Sequence, residues 1–427
     1  NLQFLLEFVY TTKQNNNRRC VQLNFNITLP GFEDIIITKT EEREGVYYIY
    51  MEMERKPHVC PECGEMTDKV HDYRMQKVRH QHIFGRRTEL FYRKRRYQCP
   101  CCTKRFYESN PIVQRYQRQS IDFKKAISLE LIHGKSFKDV ASRFQTSPTT
   151  VIRRFDEVTS SMVKEVKELP RIIAIDEYKG DAGDEKYQLI IADPVKREPL
   201  DILPDRKKAT LVDYLNKHGN KVEIVVMDMS HSFKAAVNEA LGRPIIVADR
   251  FHFSRYIYWA LERVRIRVQR EFHDYDRKKC KRMRHIFYKG NEKLTEKQRW
   301  YLERFLEMSD DLKRAYELKE AYRKWFELAK VNGPNNLIDT KKRLYQFYEL
   351  VRASGLKEFE KAIETFQNWQ KEIMNSFAFD LHNGYIEGIN NQTKVIKRNA
   401  FGFSSFDRFR AKILLHHQYK QIQLRVV

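Results

Sequence analysis

Three apolar runs in this chain each stop at an acid. Ile172–Ile175 runs into Asp176 and Glu177, VEIVVMD ends at Asp228, and RPIIVAD ends at Asp249. Short unbroken apolar runs of this kind predict strands buried on both faces. An acid at the C-terminal end of such a strand lies where open α/β sheets place their chemistry. Two further strands are predicted over Tyr187–Ala192 and Pro199–Leu203, joined by a turn at Asp193–Pro194. An amphipathic helix, KKATLVDYLNKHG, closes at Gly219, and a Ser230-capped helix runs to Leu241. The predicted order is three hairpin-like strands, then helix, strand, helix, strand.

The remaining pattern is mostly helical. From Phe251 to about Phe377 no strand signal interrupts a charged, helix-periodic sequence, whose stripe of Trp300, Tyr301, Trp325 and Phe326 is expected in a core. Earlier, SIDFKKAISLELIHGK predicts a helix capped by Ser120 and stopped at Gly134, with Ile121, Ala126, Ile127, Leu129 and Leu131 buried. SFKDVASRFQTSPTTVIRRFDEV then reads as a helix-turn-helix. Ser136 caps the first helix, Gln145 and Thr146 turn, and Ser147 caps a second helix with Pro148 in its first position. That second helix would present Thr149, Thr150, Arg153 and Arg154 to a major groove. SSMVKEVKEL, residues 160–169, is expected to be a helical link ended by Pro170. Near the start, DIIITKT and VYYIYMEME alternate as a strand pair joined by EEREG, preceded by VQLNFNITLPGF.

Composition adds a partner. Lys and Arg total 80 against 57 Asp and Glu, a net charge of +23, which favours a polyanion. The excess is spread through sequence carrying 27 Phe and 23 Tyr, so it belongs to folded modules rather than to a disordered tail. No apolar run approaches the ~18 residues that span a bilayer, so the expectation is a cytoplasmic protein without membrane contact. Cysteines supply a second chemistry. Cys60 and Cys63, then Cys99 and Cys102, give CxxC, 35 residues, CxxC, the spacing of one closed structural zinc site. Cys101 is an alternative ligand in the second pair. Between the pairs, RRTELFYRKRRYQC mixes aromatic and basic residues, as a ribbon lying along phosphates or a solvated strand face would.

The acids suggest phosphodiester chemistry. Two Mg²⁺ (or Mn²⁺) ions activate an attacking oxygen and stabilise a leaving one, held by a few carboxylates from separate elements. Asp176 and Asp228 are two candidates and Glu387, in HNGYIEGINNQTKVIKRNAFGF, is the third. On a helix from Asn383, Glu387 shares one face with Asn391, Lys394 and Arg398, with Lys397 nearby, a basic stripe able to hold a DNA strand. Asp249 and His252 are second-tier candidates for this site, or else a helix cap and a buried histidine. Strand alternation puts Glu177 on the face opposite Asp176.

With these residues in place, the chain resembles the ISL3 family of bacterial insertion-sequence transposases, whose catalytic acids form an Asp-Asp-Glu triad. The resemblance rests on CPECG with its second knuckle, the helix-turn-helix, IIAIDEYKG, VVMDMSHSFKAAV, VADRFHFSRYI and the long stretch from Asn383 to Leu415. It implies a multidomain α/β protein: a zinc ribbon-like module and helix-turn-helix, then a ribonuclease H-like mixed-sheet core interrupted by an α-helical insertion. The corresponding segments are an extension over 1–20, a β lead-in and zinc module over 21–115, and the helix-turn-helix domain over 116–169. The core follows over 170–255, the insertion over 256–377, and the rest of the core over 378–427. It further implies binding to terminal inverted repeats and target DNA, DNA cleavage and strand transfer, a homodimer on DNA, and work at the bacterial nucleoid. A DNA-binding regulator with an inactive core, and a structure-specific nuclease, are the alternatives.

Overall fold

The computed structural model describes residues 35–132 and 135–419. The predicted extension, VQLNFNITLPGF and the stop at Gly134 lie outside the described residues. Two compact units divide between Ser160 and Ser161.

The N-terminal unit begins with β1 (Ile35–Arg43) and β2 (Val46–Met53), antiparallel about a turn at Glu44 and Gly45, both at positive φ. A two-strand hairpin, β3 (His58–Val59) and β4 (Met66–Thr67), carries the first cysteine pair. The long strands β5 (Val70–Ile83) and β6 (Arg86–Gln98) pair antiparallel, β6 pairs parallel to β2, and β7 (Arg105–Tyr107) adds to β6. The sheet order is therefore β1-β2-β6-β5 with β7 beside β6. The basic β6 is a central strand. Its Leu90, Tyr92 and Tyr97 are buried, so its aromatics build the core rather than an open ribbon. Buried Arg95 is balanced by Glu108, which also accepts from Tyr92 Oη at 2.6 Å and from the Arg95 amide at 2.9 Å.

The two cysteine pairs occupy matching knuckles. Gly64 donates to Cys60 O at 3.0 Å and Thr103 to Cys99 O at 3.1 Å, with Gly64 and Thr103 both at positive φ. Cys60 Sγ lies 3.5 Å from Cys102 Sγ, and Cys63 Sγ 3.5 Å from Cys99 Sγ. All four sulfurs fall within 4.8 Å of one another, a ligand set that fits a tetrahedral Zn²⁺. Cys101 is exposed and outside the group, which resolves the choice within the second pair.

Three helices complete this unit: α1 (Ile121–Ile132), α2 (Phe137–Arg143) and α3 (Pro148–Met162). Ser120 Oγ accepts from Phe123 N, Ser136 Oγ from Asp139 N and Ser147 Oγ from Thr150 N, so each expected cap is made. Gln145 makes the turn at φ 48°. Phe123, Ile127, Val140, Val151 and Phe155 are buried. Leu129, expected in this face, is 48% exposed because the buried stripe passes through Phe123 instead. The link after Ser160 is not a helix beyond Met162; it runs irregularly to Leu169, whose amide donates to His218 O at 2.8 Å.

The C-terminal unit is built on β8 (Ile172–Tyr178), β9 (Gln188–Asp193) and β10 (Glu198–Leu203), antiparallel in sequence, followed by α4 (Lys208–His218). Then come β11 (Ile224–Met227), α5 (His231–Leu241) and β12 (Ile245–Ala248). β11 and β12 join parallel to β8, giving the order β10-β9-β8-β11-β12. Both faces are covered, which explains the unbroken apolar runs. Ile173, Ile175, Val225 and Met227 face one core, shared with Leu211 of α4, Phe233 of α5 and the helices that follow. Ala174 and Val226 face the other.

Those helices are α6 (Arg250–Val268), α7 (Asp274–Arg282), α8 (His285–Tyr288), α9 (Glu296–Glu307), α10 (Asp310–Asn332), α11 (Leu337–Ser354), α12 (Lys357–Asn368) and α13 (Gln370–Ala378). Trp325 is buried and its Nε1 donates to Thr340 O at 3.0 Å. Trp300, expected in the same core, is 56% exposed, since α9 turns that face to solvent. The chain returns with α14 (Gly384–Asn399) and α15 (Phe406–Tyr419), whose Ile386, Ile389, Ile396, Phe409 and Ile413 cover the second face of the sheet.

The knuckle geometry makes a prediction. Purified protein should hold one equivalent of zinc, Cys60→Ser should lose it together with cooperative unfolding of the N-terminal unit, and Cys101→Ser should keep both. Metal analysis with thermal unfolding checks this; zinc loss on Cys101→Ser contradicts the assignment.

Candidate functional site

Pairing fixes the centre of the site. In the parallel register of β8 and β11, Ile175 sits opposite Met227, so the next residues of both chains are Asp176 and Asp228. By alternation they share the face of Ala174 and Val226, the face that α14 covers. Glu177 turns the other way and pairs with Arg206 at 3.0 Å.

Around the two acids lies a polar cluster from four elements. Asp176 accepts from its neighbour's amide, Glu177 N, at 2.8 Å and from Asn390 Nδ2 of α14 at 2.7 Å. Asp228 Oδ2 lies 2.8 Å from His252 Nδ1 on α6. Asp249, which starts α6 without capping it through its side chain, stands 3.9 Å from His252 Nε2 and accepts from Asn383 N at 3.0 Å. Asn383 in turn donates to Ile175 O at 3.4 Å, so the start of α14 is tied to the end of β8. Asp176, Asp228 and His252 each offer a ligand atom within 4.8 Å of the others.

The electrostatics follow from burial and like charge. Burial, then the facing Asp228 carboxylate, push Asp176 up to about 7. Burial works against a charged His252, but the hydrogen bond to Asp228 and the charge of Asp249 outweigh it and raise its pKa. Among the described residues Asp228 Oδ1, which is buried, has no hydrogen-bond partner. An orphaned carboxylate oxygen beside a second carboxylate fits a hard divalent cation, and an imidazole in the set suits Mn²⁺ as well as Mg²⁺.

Glu387 is placed differently. It lies in the first turn of α14, exposed, and its carboxylate is not in the group formed by Asp176, Asp228 and His252. Asn390, three residues on and on the neighbouring helix face, is the α14 side chain that touches Asp176. Sequence reasoning missed Asn390; its one signal was its spacing from Glu387. Asn391, Lys394 and Arg398 are exposed along α14, as the helix periodicity predicts, while Lys397 bonds Asp181 at 2.6 Å. On α3, Thr149 and Arg153 are exposed. Thr150 is held at 2.9 Å by Ser147, and Arg154 lies 2.5 Å from Glu157.

Comparison with known proteins assigns each of the three modules to a family. A transposase family model matches residues 173–413, which include the sheet, its acids, the helices α6–α13 and α14. A zinc-finger model of the transposases of IS204, IS1001, IS1096 and IS1165 matches residues 56–102, and an ISL3-family helix-turn-helix model matches residues 108–159. The three modules in this order define a DNA-binding transposase with a structural zinc ribbon. The chain belongs to the ISL3 family of transposases. It is 25% identical over 375 residues to the transposase for insertion sequence element IS1001 of Bordetella parapertussis, covering 86% of this chain and 90% of that protein. A shorter stretch of 84 residues is 33% identical to a Lactococcus lactis subsp. lactis protein named as an ATP-dependent protease, covering 19% of this chain and 27% of that one. Among the described residues no helix is long and apolar enough to cross a membrane.

The raised Asp176 pKa has a measurable sign. Without divalent cation, an acid whose folded pKa exceeds its unfolded value favours the fold fully below the unfolded pKa, near 3.8, and loses that contribution as pH rises through about 7. Asp176→Asn should therefore stabilise the metal-free protein at pH 8 and have little effect near pH 4. Thermal unfolding at the two pH values checks this; equal effects at both contradict it.

Proposed function

We propose that this transposase binds the terminal inverted repeats of its insertion sequence, cleaves DNA there and joins the ends to target DNA, using Asp176, Asp228 and Glu387. The observation that carries the reading is the meeting of Asp176 and Asp228 at the ends of adjacent parallel strands, with α14 anchored against them through Asn383 and Asn390. The strand order, three antiparallel strands followed by two parallel ones beside the first, supports a ribonuclease H-like core in which α6–α13 form a helical insertion ahead of the last acid.

Asp176 and Asp228 would hold two divalent ions, Mg²⁺ or Mn²⁺, with Glu387 completing the set from the exposed first turn of α14. Bound ions supply activation of the attacking oxygen and stabilisation of the leaving one. The protein supplies orientation. His252 fixes one Asp228 oxygen and leaves the other free, Asn390 fixes the plane of Asp176, and Asp249 holds both His252 and the start of α14. The exposed Asn391, Lys394 and Arg398 lie on the same helix as Glu387 and would neutralise phosphates of the strand being cut. On α3, Thr149 and Arg153 are free to reach base edges, with Thr150 and Arg154 released from Ser147 and Glu157 on binding. Two element ends brought together call for a homodimer on DNA, working at the nucleoid in the bacterial cytoplasm.

The exposed Glu387 carboxylate, outside the cluster, is the observation that favours a DNA-binding regulator with an inactive core. One comparison separates the readings. In Mg²⁺, wild-type protein should cut a duplex carrying the element end, and Asp228→Ala and Glu387→Ala should each lower cleavage roughly 10³-fold or more while leaving end binding intact. Binding without cleavage by the wild type would establish the regulator instead.

A further inference from the structure

Beside the acids is a cavity of about 130 Å³ that this chemistry leaves unassigned, lined by Asp228, Met229, Ser230, His252, Arg255 and Tyr256. Its unusual member is Arg255. The side chain is half-buried, and among the described residues no carboxylate lies within ion-pairing reach of it, although Asp228 lines the same cavity. Arg255 Nε is buried and finds no acceptor among the described residues. Its Nη2 lies 3.5 Å from His252 Nδ1. That nitrogen faces Asp228 Oδ2 at 2.8 Å, and a carboxylate facing an imidazole nitrogen at this distance takes its proton as a hydrogen bond. A nitrogen that donates to Asp228 cannot accept from Arg255.

The guanidinium is nevertheless held. It stands 4.5 Å from the Trp259 ring centre, and Tyr256 packs edge-on against the same ring at 5.5 Å. Arg255, Tyr256 and Trp259 recur at helical spacing on α6, so one helix face carries both the cation and its support. A half-buried, positioned and unpaired guanidinium is costly unless an anion completes it. Its planar fork matches the two non-bridging oxygens of a phosphodiester.

We propose that Arg255 binds one backbone phosphate of the DNA strand lying across Asp176 and Asp228, a phosphate flanking the one that is cut. The site positions the strand against the acids and reads no base. It rests on the transposase reading of the acids, and it adds a DNA contact on α6 to those expected on α3 and α14.

The test replaces phosphates one at a time by neutral methylphosphonate around the cleavage position of an element-end duplex. Affinity of the full-length protein is measured in Ca²⁺ by fluorescence anisotropy. Wild type should lose roughly 10- to 150-fold at one phosphate beside the cut. Arg255→Gln should bind the unmodified end more weakly by a similar factor and be indifferent to methylphosphonate at that same position. Arg255→Lys, which keeps the charge without the fork, should fall between, and its thermal unfolding controls for the fold. If Arg255→Gln loses as much as wild type at every position, or wild type is sensitive at none, the inference is overturned. Cleavage of the unmodified end by wild type in Mg²⁺ reports separately on the transposase reading, which stands or falls without Arg255.

Discussion

The parallel pairing of β8 with β11 is the constraint on which the rest depends. It brings two carboxylates side by side at the ends of buried strands, where among the described residues no Lys or Arg forms an ion pair with either. Such a pair is unfavourable by itself, and the molecule meets the cost in three ways. Asp176 is driven toward its neutral form, His252 places a proton against Asp228, and Asn390 donates to Asp176. The sheet can tolerate the pair because both of its faces are sealed by apolar side chains that hold the register.

The same constraint explains why the chain leaves the sheet and returns. After β12, eight helices intervene before α14 closes over the acids. They are not loosely attached: Phe253, Ile257 and Leu261 of α6 and Ile373 and Phe377 of α13 are part of one continuous core with the sheet. Return of the chain is thereby fixed on both sides of the acids, by Arg250 donating to Ser376 O at 2.6 Å and by Asp249 accepting from Asn383. The helix carrying Glu387 and the helix carrying His252 and Arg255 then border the site from opposite directions along the chain.

Much of this was legible in the sequence where local rules govern it. Unbroken apolar runs ending at Asp176 and Asp228 announced buried strands, and alternation set Glu177 apart from Asp176. Cap residues Ser120, Ser136 and Ser147 marked the helices, and the cysteine spacing marked the knuckles. What escaped was decided by tertiary contact. Asn390 is a polar residue among several in GINNQT, and its meeting with Asp176 exists only once α14 docks. Arg255 looks like any helix arginine until the cavity beside Asp228 forms. Trp300 and Leu129 fit a periodic stripe but lie at its solvent edge, and residues 163–169, of helix-forming composition, run irregularly where Val166 and Leu169 pack on the core and the Leu169 amide bonds His218 O.

The central claim is that Asp176, Asp228 and Glu387 converge on divalent metal. The most direct measurement is the anomalous scattering of Mn²⁺ in crystals of the protein bound to element-end DNA. Manganese coordinated by Asp176 and Asp228, with Glu387 drawn in from the first turn of α14, is the result expected. Manganese elsewhere, or bound by Asp176 and Asp228 with Glu387 still turned to solvent, would contradict the account.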